Sequence, residues 1–352
     1  MTRSNLLVDS LDLVYKTLFS KLLSTYIKKK PMTYLITGAA GFIGSHLCEK
    51  LIEAGNRVVG IDNFDSFYSI RQKKLNLINL NNSKNFFFYE IDIREKDSLI
   101  AVFQNNKIDT VVHLAAKAGV RPSIDFVSDY YSVNVDGTLT LLEVMKNHNV
   151  MNLLFASSSS VYGNNLKIPF SETDFVDNPI SPYAASKKSC ELLCHVYSYL
   201  HGFNVTCLRF FTVYGPRQRP DLAIHKFTYM IDNDLPVPFF GDGSTARDYT
   251  YIDDILQGIF CALERFEGFR VYNLGESRLI DLNTLIITIE GLLNKKAIIN
   301  RLPAQPGDVK ITFAEISKAR QELNYNPIFC FSDGMERFIE WYQSNKQTIY
   351  SS

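Results

Sequence analysis

Tyr34-Leu-Ile-Thr-Gly-Ala-Ala-Gly-Phe-Ile-Gly-Ser-His-Leu47 decides how the rest of the chain is read. Tyr34 to Thr37 is a short apolar run ended by glycine, the pattern of a buried parallel strand. Gly38, Gly41 and Gly44 follow at three-residue spacing, and a helical apolar pattern then runs through Leu47, Leu51 and Ile52 toward Gly55. A strand, a tight glycine turn and a helix N-terminus make an anion site, because free backbone N–H groups and the helix dipole point at one spot. A second strand, Arg57-Val-Val-Gly-Ile-Asp62, ends in an acid 21 residues beyond Gly41, where a dinucleotide fold bonds the adenosine ribose hydroxyls. Asn63, Phe64 and Asp65 follow with no Arg or Lys, so a 2′-phosphate is expected to meet only repulsion. The expected cofactor is NAD rather than NADP.

Composition sets outer limits. With 352 residues the chain can bury a full core, as one large or two modest domains. Charged residues make up 21% and the formal net charge is zero, which offers no basis for nucleic-acid binding. The six cysteines form no CxxC and no paired spacing with histidine, which reads as free thiols in a reducing cytosol and no metal site. No run approaches the ~18 uncharged apolar residues of a membrane span. The expected location is cytoplasmic.

Residues 1–31 stand apart. Leu6, Leu7, Leu11, Val14, Leu18, Leu22 and Ile27 lie near helical spacing among charges, and Lys28-Lys-Lys-Pro31 ends the pattern. This is the pattern of an amphipathic helix that packs on its own domain or on a second subunit, with a membrane surface as the other option. From residue 86 strands and helices alternate, with strands at 86–90, 110–116, 152–157 and 204–211 and helices at 97–105, 127–147, 184–200 and 222–231. That alternation predicts an α/β fold with a doubly wound parallel sheet. After Gly215 the chain breaks into Pro- and Gly-marked pieces, which predicts a smaller C-terminal substrate-binding lobe. The expected division is 32–212, recrossed by about 246–277, for the dinucleotide and 213–245 with 278–345 for the lobe. Loops at the strands' carboxyl ends, after Ala116, Ser157 and Phe211, are expected to face the ligand crevice.

Tyr183-Ala-Ala-Ser-Lys187 opens a helix after Pro182 and places Tyr183 and Lys187 one turn apart on one face. A tyrosine, ordinarily titrating near 10, is a poor base at neutral pH. A lysine ammonium one turn away and the positive ring of NAD stabilise its phenolate. Upstream, a strand ends in Ser157-Ser-Ser-Ser160, a hydroxyl cluster that can share a substrate proton with Tyr183.

With the GxxGxxG turn at 38–44, the serine cluster and the Tyr-x-x-x-Lys helix, the chain resembles the extended short-chain dehydrogenase/reductases that act on nucleotide sugars, from Thr33 to about Tyr342. The resemblance implies a catalytic set of Ser158, Tyr183 and Lys187. It implies cofactor contacts from Gly38, Gly41, Phe42, Ile43, Gly44, Asp62, Asn63, Asp92, Ile93, Leu114, Ala115, Ala116, Lys117, Asn134, Ser157, Tyr183, Lys187 and Phe210. Arg247 looks like its pyrophosphate contact, and Gln305-Pro-Gly-Asp308 is similar to its nucleoside-ribose contact. Ala118-Gly-Val-Arg121, Ser157–Gly163 and Arg209–Asp221 are most like the UDP-glucuronate 4-epimerases. That implies a UDP-sugar oxidised at carbon 4, turned over and reduced on its other face. A 4-keto uronic acid is a β-keto acid and loses CO₂ once its carboxylate bond aligns with the carbonyl. Ser159, Ser160 and Thr212 are therefore expected to hold the carboxylate out of alignment, with Arg219 nearby. Arg121, Ser158 and Tyr183 complete the expected substrate contacts.

Sister activities fit less well. A 4,6-dehydratase usually carries Asp-Glu where Ser159 and Ser160 stand, and a family decarboxylase usually carries Glu at Ser160. A UDP-glucose or UDP-N-acetylglucosamine 4-epimerase is the alternative, since Thr312 would not crowd an N-acetyl group. A dehydrogenase or reductase that releases its keto product, and an NAD-binding protein without catalysis, are the other classes. The resemblance also implies a homodimer through the helices near 127–147 and 184–200.

Overall fold

The computed structural model describes residues 30–303 and 309–350. The helix expected over 1–31 therefore lies, up to residue 29, outside the described residues, and so does Asp308.

In chain order the first half runs β1 (Thr33–Thr37), α1 (Phe42–Glu53), β2 (Arg57–Asp62), α2 (Ile70–Asn81), β3 (Phe86–Glu90), α3 (Lys96–Asn105) and β4 (Thr110–His113). Two short helices, α4 (Pro122–Asp125) and α5 (Val127–Tyr131), a π-helical turn over Ser132–Asp136 and α6 (Gly137–Asn147) lead to β5 (Asn152–Ser158). Then come a 3-10 turn at Ser159–Tyr162, α7 (Pro182–His201), β6 (Asn204–Phe210), β7 (Thr212–Tyr214), α8 (Ala223–Asp232), β8 (Pro236–Phe240), β9 (Ala246–Tyr251), α9 (Ile252–Leu263) and β10 (Phe269–Leu274). The chain closes with β11 (Leu279–Asp281), α10 (Leu282–Leu293), β12 (Ile298–Leu302), β13 (Ile311–Thr312), α11 (Ser317–Leu323) and α12 (Phe331–Tyr350).

Seven of these strands form one parallel sheet in the order β10-β6-β5-β4-β1-β2-β3. The strands read as continuous apolar runs because both faces are covered. Tyr34, Ile36, Val58, Val112 and Leu154 point into one core, while Leu35, Val59, Val111 and Leu153 point into the other. Each such buried side chain stabilises the fold by roughly 1.5–3 kcal/mol. The strand order reverses between β1 and β4, and the carboxyl ends there open the crevice in which such sheets take their ligands. The remaining strands form two smaller sheets, β11-β9-β13 with β7 on β9, and β8 with β12.

Three local departures from the sequence reading have physical causes. The fourth strand ends at His113 and not at Ala116, because the Thr37 hydroxyl takes the N–H groups of Leu114 and Ala115, each at 3.0 Å. The helix expected over 127–147 is broken by the π turn at 132–136, where the Asn134 carbonyl accepts from Cys190 Sγ at 3.1 Å and from the Thr138 hydroxyl. Helix α2 has no counterpart in the sequence reading. Its buried side carries Gln72, Lys73 and Asn76 beside Leu77 and Leu80, so its apolar period is weak.

Where β9, α9 and β10 meet, three acids are buried: Asp248, Asp254 and Glu276. Asp248 is well satisfied, accepting the N–H groups of Ala314, Glu276 and Ser277. The Glu276 oxygens are buried, and the charge that opposes the two neighbouring acids is the Arg278 guanidinium, 3.5 Å from Oε1. Burial and then the Asp254 charge push the Glu276 carboxyl above its ordinary value of 4.5. A raised folded-state value means that the folded protein keeps this proton longer than the unfolded chain does. The penalty for ionising Glu276 is therefore absent below about 4.5 and grows as pH rises. Glu276→Gln is expected to raise Tm at pH 8 by about 2 °C, on the order of 1 kcal/mol, and to leave it nearly unchanged at pH 4. Melting curves at the two pH values check this.

Among the described residues no helix is long and apolar enough to cross a membrane.

Candidate active site

A cavity of about 460 Å³ opens at the carboxyl ends of the central strands, with the glycine turn at one end and the Tyr183 helix at the other. Gly38 sits at φ +70°, in the left-handed region that L side chains rarely adopt. A Cβ on Gly44 would lie 2.1 Å from the Gly38 carbonyl, so the helix can approach the turn only as glycine. Gly41 caps α1 without a side-chain acceptor, which leaves the first-turn N–H groups facing the cavity.

Asp62 ends β2 and is buried, its Oδ2 accepting the Ala40 N–H at 3.2 Å and its Oδ1 the Phe64 N–H at 2.9 Å. Lys73 of α2 approaches Oδ1 at 3.7 Å. No cation follows Asp62 in the next three residues, but α2 folds back over the end of β2 and brings Lys73 to it, so the surroundings of the acid are not purely repulsive to a 2′-phosphate. Burial pushes the Asp62 carboxyl up, and Lys73 is the largest influence pulling it back. Next to it, Asn63 donates to Asp92 at 2.8 Å. Asp92 also takes two side-chain bonds from Arg94, which hold its carboxyl down at about 2.

At the catalytic end, Ser181 caps α7 by accepting the Ala184 N–H at 3.1 Å, Pro182 opens the helix, and Gly202 ends it at φ +70°. One turn in, buried Lys187 donates to the Ala156 carbonyl at 2.8 Å. Its ammonium is thereby fixed beneath the serine cluster, and Tyr183 packs edge-on against Tyr130 with centroids 6.1 Å apart. The Ser158 hydroxyl accepts the Ser160 N–H and donates to the Ser160 hydroxyl, both at 3.1 Å. Ser157 donates to Glu191 at 2.7 Å, and Glu191 takes a bidentate pair from Arg209, 2.8 Å on each arm.

A buried relay joins this helix to the glycine turn. Thr37 Oγ1 takes two backbone N–H groups and so donates its own proton to His113 Nδ1 at 2.7 Å. His113 Nε2 is then the donor to Thr138 at 3.0 Å. Burial, and then the Lys187 charge, lowers His113 to about 3 and keeps it neutral. Asn134 accepts the Lys117 N–H at 2.8 Å and donates to Ser186, which bonds the Tyr183 carbonyl.

The cavity brings together most residues singled out in the sequence. The glycine turn with Phe42 and Ile43, Asp62, Asn63, Asp92, Ile93, 114–117, 157–160, Tyr183, Lys187, Phe210, Thr212 and Arg219 all line it. Arg219 is held there by a bidentate pair with Asp221 and lies over the Phe67 ring. Asn134 lies behind the wall, bonded to the 117 peptide. Arg121 stacks 5.2 Å from the Phe240 ring centroid, and Arg247 sits on β9 beside Thr312. Phe67, Tyr68 and Lys73 also line the cavity and escape the sequence reading, since each reaches it only through α2 and its approach. The Tyr68 hydroxyl is buried there without a partner among the described residues.

Known proteins match this architecture. The NAD dependent epimerase/dehydratase family matches residues 34–275. The UDP-glucuronate 4-epimerase of Thermodesulfobacterium geofontis is 43% identical over 319 residues, 90% of this chain and 98% of that one. The crystal structure of UDP-glucuronic acid 4-epimerase from Bacillus cereus, in complex with UDP-glucuronic acid and NAD, superposes with a TM-score of 0.84 at 40% identity, covering 89% of this chain and 99% of that one. The UDP-glucose 4-epimerase of Thermotoga maritima, solved with UDP-glucose, superposes with a TM-score of 0.82 at 32% identity, covering 90% and 100%. The chain belongs to the NAD dependent epimerase/dehydratase family.

Proposed function

We propose that this protein is an NAD-dependent UDP-sugar 4-epimerase whose substrate is UDP-glucuronate and whose product is UDP-galacturonate. One observation carries the reading: a single cavity joins the glycine turn and Asp62 to Tyr183, Lys187, the hydroxyls 158–160 and Thr212. The residues present fit NAD. The turn leaves no room for a side chain at Gly44, so it can admit a pyrophosphate against backbone N–H groups, and Asp62 retains acceptor capacity for ribose hydroxyls. Bound there, NAD supplies the hydride acceptor and donor at carbon 4.

The chain's own groups do the rest. Tyr183 takes the proton from the 4-hydroxyl as carbon 4 is oxidised and returns it after the sugar has turned. Lys187, pinned by the Ala156 carbonyl, holds positive charge under the phenolate. Ser158 shares the moving proton. Ser159, Ser160 and Thr212 offer neutral donors to the uronate carboxylate, with Arg219 at the same cavity wall. Positions 159 and 160 carry no carboxylic acid, so the site lacks the acid–base pair with which a dehydratase removes water across carbons 5 and 6.

We assign 32–212, recrossed by 246–277, to the cofactor, and 213–245 with 278–345 to the nucleotide-sugar. The return of β10 to the large sheet and the pairing of β8 with β12 outside it support this division. Arg247 on the pyrophosphate and Asp308 on the uridine ribose complete the assignment. Leu192, Val196, Tyr199 and Leu200 leave an apolar stripe exposed on α7, which supports a homodimer through that face.

Proton NMR of the purified protein with UDP-glucuronate, and separately with UDP-glucose, tests the reading. The expected result is conversion of UDP-glucuronate to its 4-epimer with no added nucleotide. Conversion of UDP-glucose alone would move the assignment to the neutral-sugar epimerases. A keto product that needs added NAD would make the protein a dehydrogenase.

A further inference from the structure

We propose that Lys73 completes a latent anion cradle that the Asp62 carboxylate fills in the wild type, so that removing this acid opens a 2′-phosphate site whose affinity depends on Lys73. The proposal rests on the cofactor reading above and extends it.

Two hydrogen-bond donors and one cation converge on the Asp62 carboxylate. The Ala40 N–H lies 3.2 Å from Oδ2, the Phe64 N–H 2.9 Å from Oδ1, and the Lys73 ammonium 3.7 Å from Oδ1. Two backbone N–H groups and an ammonium form a donor set for a phosphate as much as for a carboxylate. The cradle is rigid. Asn76 donates to the carbonyl of Ala40 at 3.0 Å, and Gln72 donates to the carbonyls of Arg217 and Gln218, both at 3.1 Å, which anchors α2 on both sides of Lys73. Lys73 is itself buried, at 6% exposure, packs over the Tyr68 ring and lines the cavity. Lys74, one residue on, is exposed and lies 5.9 Å from the Phe64 ring centroid.

With Asp62 in place the cradle is neutralised, and an incoming 2′-phosphate meets a carboxylate. With Asp62 removed, the donors that held it are left unpaired in a buried wall. An unsatisfied buried charge is costly, and a phosphate at the ribose 2′ position would satisfy all three groups. Admission of NADP should then need no introduced arginine.

The full-length protein, stripped of nucleotide on charcoal, is titrated calorimetrically with NAD and with NADP. Wild type is expected to bind NAD and to reject NADP. In Asp62→Ala the ratio of NADP to NAD affinity is expected to rise roughly 10- to 100-fold, the value of one charge-assisted bond. Adding Lys73→Gln should cancel most of that gain, and Lys73→Arg in its place should retain it. Melting curves of each variant show that it is folded. An Asp62→Ala preference that is indifferent to residue 73 would overturn the proposal, whatever happens to stability. A wild-type protein that binds neither nucleotide would overturn the cofactor reading instead, and this proposal with it.

Discussion

Tyr183→Phe is expected to lower kcat by roughly 10²–10⁴-fold, the usual loss when a positioned acid–base group is removed. Its bound NAD and its affinity for UDP-glucuronate should stay close to wild type. The phenol oxygen is the only atom lost. The ring keeps its edge-on contact with Tyr130, and Lys187 keeps its bond to the Ala156 carbonyl, so the pocket holds its shape. Steady-state kinetics, together with the nucleotide released on denaturation, check both parts. A variant that retains more than a tenth of the wild-type rate would show that another group takes the proton.

Arg209→Met is expected to produce the largest loss of stability of any single change away from the glycine turn. Arg209 on β6 and Glu191 on α7 are both buried and bonded through both carboxylate oxygens. Arg209 also donates to the Tyr162 hydroxyl at 3.0 Å, and Tyr162 passes its proton to Asn273 of β10 at 2.7 Å. Burial opposes the guanidinium charge, and Glu191 more than compensates, holding Arg209 above its ordinary range. Removing the arginine leaves the buried Glu191 carboxylate with the Ser157 hydroxyl and the more distant Lys188 ammonium at 3.9 Å, a loss of about 3–5 kcal/mol and roughly 5–10 °C in Tm. Glu191→Leu added to Arg209→Met should recover part of the loss, because no charge is then left alone. A double variant as unstable as the sum of the two singles would argue against a coupled pair. Since Glu191 also holds the Ser157 hydroxyl, the pair positions the serine cluster as well as α7.

What was legible in the sequence is what local chemistry dictates. Gly38, Gly41 and Gly44 are required by a turn too tight for a side chain, and Asp62 follows at the distance one strand imposes. Ser181, Pro182 and Gly202 mark the ends of α7 by capping rules that operate within a few residues. What escaped depends on distant partners or on a face that breaks the apolar rule. Helix α2 buries Gln72, Lys73 and Asn76, polar residues whose partners are the Ala40, Arg217 and Gln218 carbonyls and the Asp62 carboxylate. No hydrophobic period announces such a helix, so the sequence shows the Asp62 carboxylate but not the Lys73 ammonium that folds beside it. Glu191 follows Tyr183 and Lys187 at four-residue spacing, yet only folding reveals that it meets Arg209 of β6 on the sheet face that α7 covers. Arg121 and Arg247 match the expected motifs, and folding sets Arg121 over the Phe240 ring and Arg247 on β9 opposite Thr312.

In the proposed reaction carbon 4 is oxidised and reduced again without its hydrogen leaving the protein. UDP-glucuronate deuterated at carbon 4, turned over with a stoichiometric amount of protein in unlabelled buffer containing free NADH, tests it most directly. The expected outcome is UDP-galacturonate with the deuterium still on carbon 4 and unlabelled NADH in solution. Product that has lost its deuterium, or label found in the free NADH pool, would contradict it.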